Sequence, residues 1–127
     1  MPIKDLEYQF IEEDAIHQMT FNFASRMAVD EWFRIMDDYY KGLKPDDQVR
    51  ILNDYRKSGL PAMAYTFRRG RAWTSNMPFH PPAKLAIVHS SDVIIPIASI
   101  LIQNLRFSHL KVNFFREVDK AMAWLKD

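Results

Sequence analysis

Ser58 is the residue whose neighbours most invite chemistry. Arg56 and Lys57 precede it, Gly59 and Leu60 follow it, and the segment leads toward a helix. At a helix N-terminus an anion meets free backbone N–H groups and the positive end of the helix dipole. The two flanking cations would favour a phosphate bound or attached there. The plainer alternative is that Ser58 caps the helix with one hydrogen bond. His89 is the second candidate. It closes an apolar strand just before a helix start, where α/β sheets place their ligand crevices, and Ser90, Ser91 and Asp92 follow it. A Ser–His–Asp triad needs convergent side chains, whereas consecutive residues at one strand end point apart. No catalytic residue is assigned. Cysteine is absent, and His17, His80, His89 and His109 form no pair at metal-ligand spacing, so neither a metal site nor a cofactor is expected.

Arg68, Arg69 and Arg71 beside Trp73 make the densest basic cluster. Arginines next to an aromatic can hold phosphates and stack a base, but these three spread around a helix. Nucleic acid is therefore not the expected partner, and a solvated face or an acidic protein surface fits better. Most aromatics fall at core spacing. Phe79, inside a proline-rich connector, is the exception and suits a lid or a rim. Met63, Phe67, Phe79 and Ile97 define a second kind of site, an apolar pocket between helices and sheet for a small apolar or lipid-like ligand.

The elements that must position these residues are legible from periodicity. Leu6, Tyr8 and Phe10, then His17, Met19, Phe21 and Phe23, alternate with polar neighbours, which predicts two strands joined by a tight turn. Residues 26–43 switch to steps of three and four and predict an amphipathic helix closed by Gly42 and Pro45. Strand three follows at 49–53. A helix over 61–73 has Pro61 in its first turn, with Met63, Phe67 and Tyr65 as inward candidates and Gly70 as a weak point. Residues 77–82 hold three prolines and form an irregular connector. Residues 84–89 read as a central strand, 92–107 as a helix, 109–115 as a strand and 117–126 as a closing helix.

Strands alternating with helices imply parallel pairing, and the first two strands must be antiparallel. The expected fold is α/β, a mixed sheet of about five strands with about four helices mainly on one face. Arg50, Lys111 and Asn113 alternate with apolar residues, so the other face is expected to be partly wet. The 127 residues and 48% hydrophobic content fit one domain spanning 1–127. A net charge of +1 gives no global steering toward polyanions. The longest apolar run, 93–102, is about half of what a membrane span needs. With no secretory signal visible and no cysteine, a cytoplasmic location is expected. Self-association through an edge strand or the wet face is a further expectation.

This element order resembles the STAS domain, the sulfate-transporter and anti-sigma-factor-antagonist family. The segment Val112-Asn113-Phe114-Phe115-Arg116-Glu117-Val118-Asp119-Lys120-Ala121-Met122-Ala123-Trp124-Leu125 is similar to the closing strand and helix of the branch containing sporulation stage II protein AA. Ser58-Gly59-Leu60 sits where anti-sigma-factor antagonists carry an Asp-Ser-Ser-Gly-Leu loop, although Arg56-Lys57 replaces the Asp-Ser that precedes the phosphoacceptor. The resemblance implies a non-catalytic, regulatory protein-interaction module in which Ser58 is the phosphoacceptor and a protein or a second copy is the partner. The residues alone leave the apolar-ligand carrier as the alternative.

Overall fold

The computed structural model describes residues 3–90 and 109–127. Five strands form one sheet in consecutive order: β1 (Leu6–Ile11), β2 (Ile16–Phe21), β3 (Val49–Asp54), β4 (Ala83–Val88) and β5 (Leu110–Phe115). β1 and β2 are antiparallel, with Phe10 opposite His17, and every later pair is parallel. The fold class is α/β, as the alternation of elements implies. Three helices are described: α1 (Arg26–Tyr40), α2 (Met63–Ser75) and α3 (Val118–Lys126). The fourth expected helix, over 92–107, lies outside the described residues. Among those described, no helix is long and apolar enough to cross a membrane.

Local chemistry accounts for the boundaries. Ser25 caps α1 by accepting from the Ala28 amide at 3.1 Å, and its hydroxyl donates to Asp5 at 2.6 Å. That bond ties the start of α1 to the start of β1. α1 stops at Tyr40 and not at 43, because the chain turns at Lys41–Gly42, where both amides bond back to carbonyls of the last turn. α2 starts at Met63 and not at 61. Ala62 is extended, with φ −60° and ψ 100°, and caps the helix without a side-chain bond.

The sheet's alternation divides the core in two. Met19, Phe21, Val49, Ile51, Tyr55, Ala83 and Ile87 face α1 and α2, where Ala28, Met36 and Trp73 meet them. Ile16, Leu52, Ala86 and Val88 face the opposite way and are covered by Ala121 and Leu125 of α3. Two of the three described helices thus share a face. The wet face expected from Arg50, Lys111 and Asn113 is half correct, because α3 covers its apolar rows and leaves its charged row at the edge.

Candidate functional site: an apolar cavity beneath α2

α2 is the one described helix with no fully buried residue. Met63, Thr66, Phe67, Gly70, Trp73 and Thr74 recur at steps of three and four, so they share one helical face, and all six line a cavity of about 160 Å³. The sheet supplies its floor through Ile51, Leu85, Ile87 and Val112, and α1 supplies a wall through Val29, Trp32 and Phe33. Thr66, Gly70 and Thr74 stand four residues apart. Their small side chains leave a trough along the helix where large ones would have closed on the sheet.

The lining is apolar and, among the described residues, carries no Asp, Glu, Lys or Arg. Its polar content is a short relay: the Trp32 indole donates to Asn53 Oδ1 at 2.9 Å, and Asn53 Nδ2 donates to the Tyr55 hydroxyl at 3.1 Å. Asn53 is 4% exposed and Tyr55 7% exposed, so these bonds sit where water does not compete. The Tyr55 proton has no acceptor among the described residues, and neither has the Tyr40 hydroxyl, which also lines the cavity. Burial raises both phenol pKa values. For Tyr40 the Tyr39 phenol adds to the effect, and for Tyr55 the Asn53 hydrogen bond partly opposes it. Both stay neutral donors at physiological pH. His109, at the margin, is held below the ordinary histidine value by burial and then by His80, whose ring stacks on it at 4.8 Å.

Polar struts at the rim hold α2 to α1. Asp30 accepts from the Tyr65 hydroxyl and pairs with Arg69 at 3.6 Å, and Asp37 accepts from the Trp73 indole at 3.1 Å. Arg26 lies over the Tyr65 ring at 4.8 Å. Tyr65 is therefore a rim residue and not an inward one. Trp73, read beside the arginines as a base-stacking platform, turns inward against Trp32, Phe33 and Tyr40.

The structure gathers only part of the expected sites. Met63 and Phe67 line the cavity, and so does Leu60 from the Ser58 loop. Phe79 is half-buried but outside the lining. His89 is 1% exposed and neither ring nitrogen has a hydrogen-bond partner among the described residues; Ser90 is exposed, and neither lines the cavity. Ser91 and Ile97 lie outside the described residues.

Ser58 is not a helix cap: α2 begins five residues later, and the Ser58 hydroxyl donates to the Gly59 carbonyl at 2.6 Å. The intervening chain is a turn, in which the Gly59 amide returns to the Tyr55 carbonyl at 2.9 Å and Gly59 adopts φ +73°. Arg56 is committed to the buried Asp54 carboxylate through bonds of 3.0 and 2.7 Å, while Lys57 is exposed. The basic pair beside Ser58 thus offers one uncommitted cation.

Sequence reasoning missed Asn53, Tyr55 and the Thr66–Gly70–Thr74 column. The column was readable as small residues on the face of a helix that should bury large ones. Asn53 and Tyr55 carry no signal of their own at the end of strand three. No family model, curated protein or solved structure matches the chain.

Proposed function

We propose that this domain is a non-catalytic binding module that takes one small, neutral, apolar molecule into the cavity beneath α2. The observation that carries the reading is the pairing of about 160 Å³ of apolar space with neutral phenol donors. An apolar cavity of about 150 Å³ stays dry and accepts benzene, so the fit is to a single aromatic ring or a compact aliphatic. A lipid chain calls for the several-hundred-Å³ pockets usual for larger ligands. The lining also offers no cation to a carboxylate.

The test is thermal denaturation with toluene, phenol, indole and decanoate, backed by methyl NMR of Met63 and Met77. Phenol, which can pair with a tyrosine hydroxyl, and toluene should raise Tm in a saturable way, as ligands selective for the native state do, and should shift those methyls. Decanoate should do neither. Absence of any response to the ring compounds would sink the reading.

The element order and the surface loop at 56–60 support a second reading, a STAS-like regulatory module acting on a protein partner or a second copy. Phosphatase treatment of protein from its own cells decides it. A mass loss that disappears in Ser58→Ala supports the phosphoswitch, and an unmodified Ser58 removes it.

A further inference from the structure

On the face of the sheet opposite the cavity, Arg50, Lys84 and Lys111 stand in register on β3, β4 and β5. Neighbouring strands lie about 4.8 Å apart, and like charges directly opposite one another destabilise a sheet. Such a row calls for something to offset it, and no side-chain carboxylate among the described residues pairs with it. A cavity of about 90 Å³ opens beside the row, lined also by Gln48, Pro82 and His109, with no carboxylate in its wall.

Of the acidic residues nearby, Asp14 pairs with Lys126 at 3.5 Å, and Asp127 meets the row itself, its main-chain oxygen accepting from Lys84 at 2.9 Å. Lys111 has no anionic partner among the described residues. Arg50 Nη1 donates to the Asp14 carbonyl at 2.7 Å, and Lys84 Nζ donates to the Trp124 carbonyl at 3.2 Å and lies over its ring at 5.2 Å. An ammonium has three donors and a guanidinium five. Lys84 therefore keeps one free and Arg50 four, and exposed Lys111 keeps all three among the described residues.

We infer that this row is a binding site for a phosphate-sized oxyanion, either free or as a terminal phosphate ester on a small molecule. The volume matches the share of about three waters in the liquid, enough for one such group and too little for an extended polyanion to be enclosed. The three cations leave the strands away from the cavity beneath α2, and only Ala83 and His109 among the described residues border both.

The test is an NMR titration of the intact chain with inorganic phosphate and with glycerol 3-phosphate, against sodium chloride at matched ionic strength. Saturable shifts at the amides of residues 83–84 and 109–111 are expected with phosphate and not with chloride. A response to both phosphates indicates a terminal phosphate group, and a response to inorganic phosphate alone a free ion. Lys111 is exposed and unpaired, so its variants should keep the fold, which the same spectra verify. Lys111→Gln should weaken binding by about tenfold, the loss of one charge-assisted contact, and Lys111→Arg should retain it. Lys111→Glu should abolish binding while raising Tm in phosphate-free buffer, since it breaks the row of like charges. Shifts that chloride reproduces, or that survive Lys111→Glu, would overturn the inference.

Discussion

Gly70→Ala is the perturbation that most directly probes the gap beneath α2. Gly70 sits in the interior of α2 without a positive φ, and a Cβ built there meets only Phe33 Cζ, at 3.9 Å. Nothing in its conformation or surroundings requires glycine. Alanine is favoured over glycine in a helix interior by about 1 kcal/mol, and a methyl group against the cavity wall adds up to about 0.8 kcal/mol if fully removed from water. The wall is partly open, so the expected gain is about 1–1.5 kcal/mol, equivalent to roughly 3–6 °C in Tm for a chain of this size. Urea unfolding followed by tryptophan fluorescence measures it. The midpoint should rise with an unchanged slope, which marks a stability change without altered compactness. A loss of 1 kcal/mol or more would mean that α2 lies closer to α1 and the sheet than described, and that the cavity is closed. Gly70→Leu extends the test, because its branched end fills the trough. Its cooperative melt should persist while the response to toluene disappears.

Burial pushes the His17 pKa down to about 4, in a ring cluster of Tyr8, Phe10 and Tyr39 where its Nδ1 meets the Tyr8 hydroxyl at 2.7 Å. The unfolded chain takes up the proton near pH 6.5, before the native state does, so stability is full above that value and falls as pH drops toward 4. The loss between pH 7 and 5.5 is about 1.2 kcal/mol, read as urea midpoints at the two pH values; His17→Phe should flatten that difference, and an unchanged difference would contradict the assignment. Ala15, in the turn between β1 and β2, holds φ 52°, a left-handed conformation that costs a non-glycine residue roughly 1–2 kcal/mol. Ala15→Gly should stabilise by about 0.5–1 kcal/mol after the extra freedom of the unfolded glycine is counted, and a fall in Tm would show the turn to be unstrained.

The strands were legible because a period of two survives even where both faces are partly covered. On β3, Val49 and Ile51 pack toward α1, as does Tyr55 just beyond its end, while Leu52 packs toward α3 and Arg50 lies at the edge of that second face. Alternation alone could not say that the face carrying Arg50 would also be covered. Burial there changes from row to row along the strand: α3 covers Leu52, Ala86 and Val88, while in the next row it touches Lys84 through Trp124 and leaves Lys111 exposed. The start of α2 was misplaced for a local reason. Pro61 suits a first helical turn, but it also restrains Leu60, and the turn closed by Gly59 uses the chain that would have begun the helix. Ser58 lost its role as a cap through the same two residues.

The cavity was the least legible feature because it comes from side chains that are too small, and smallness has no period of its own. Thr66, Gly70 and Thr74 read as a weak helix in sequence. In the fold they face Ile51, Leu85 and Val112, which are large enough to pack but not to reach across. Trp73 packs against Trp32, Phe33 and Tyr40 of α1, and the Asp30 and Asp37 contacts tie α2 to α1 along the rim. Lifting α2 would therefore cost the Trp73 packing against α1 as well as the weak, partly exposed contacts of the rim.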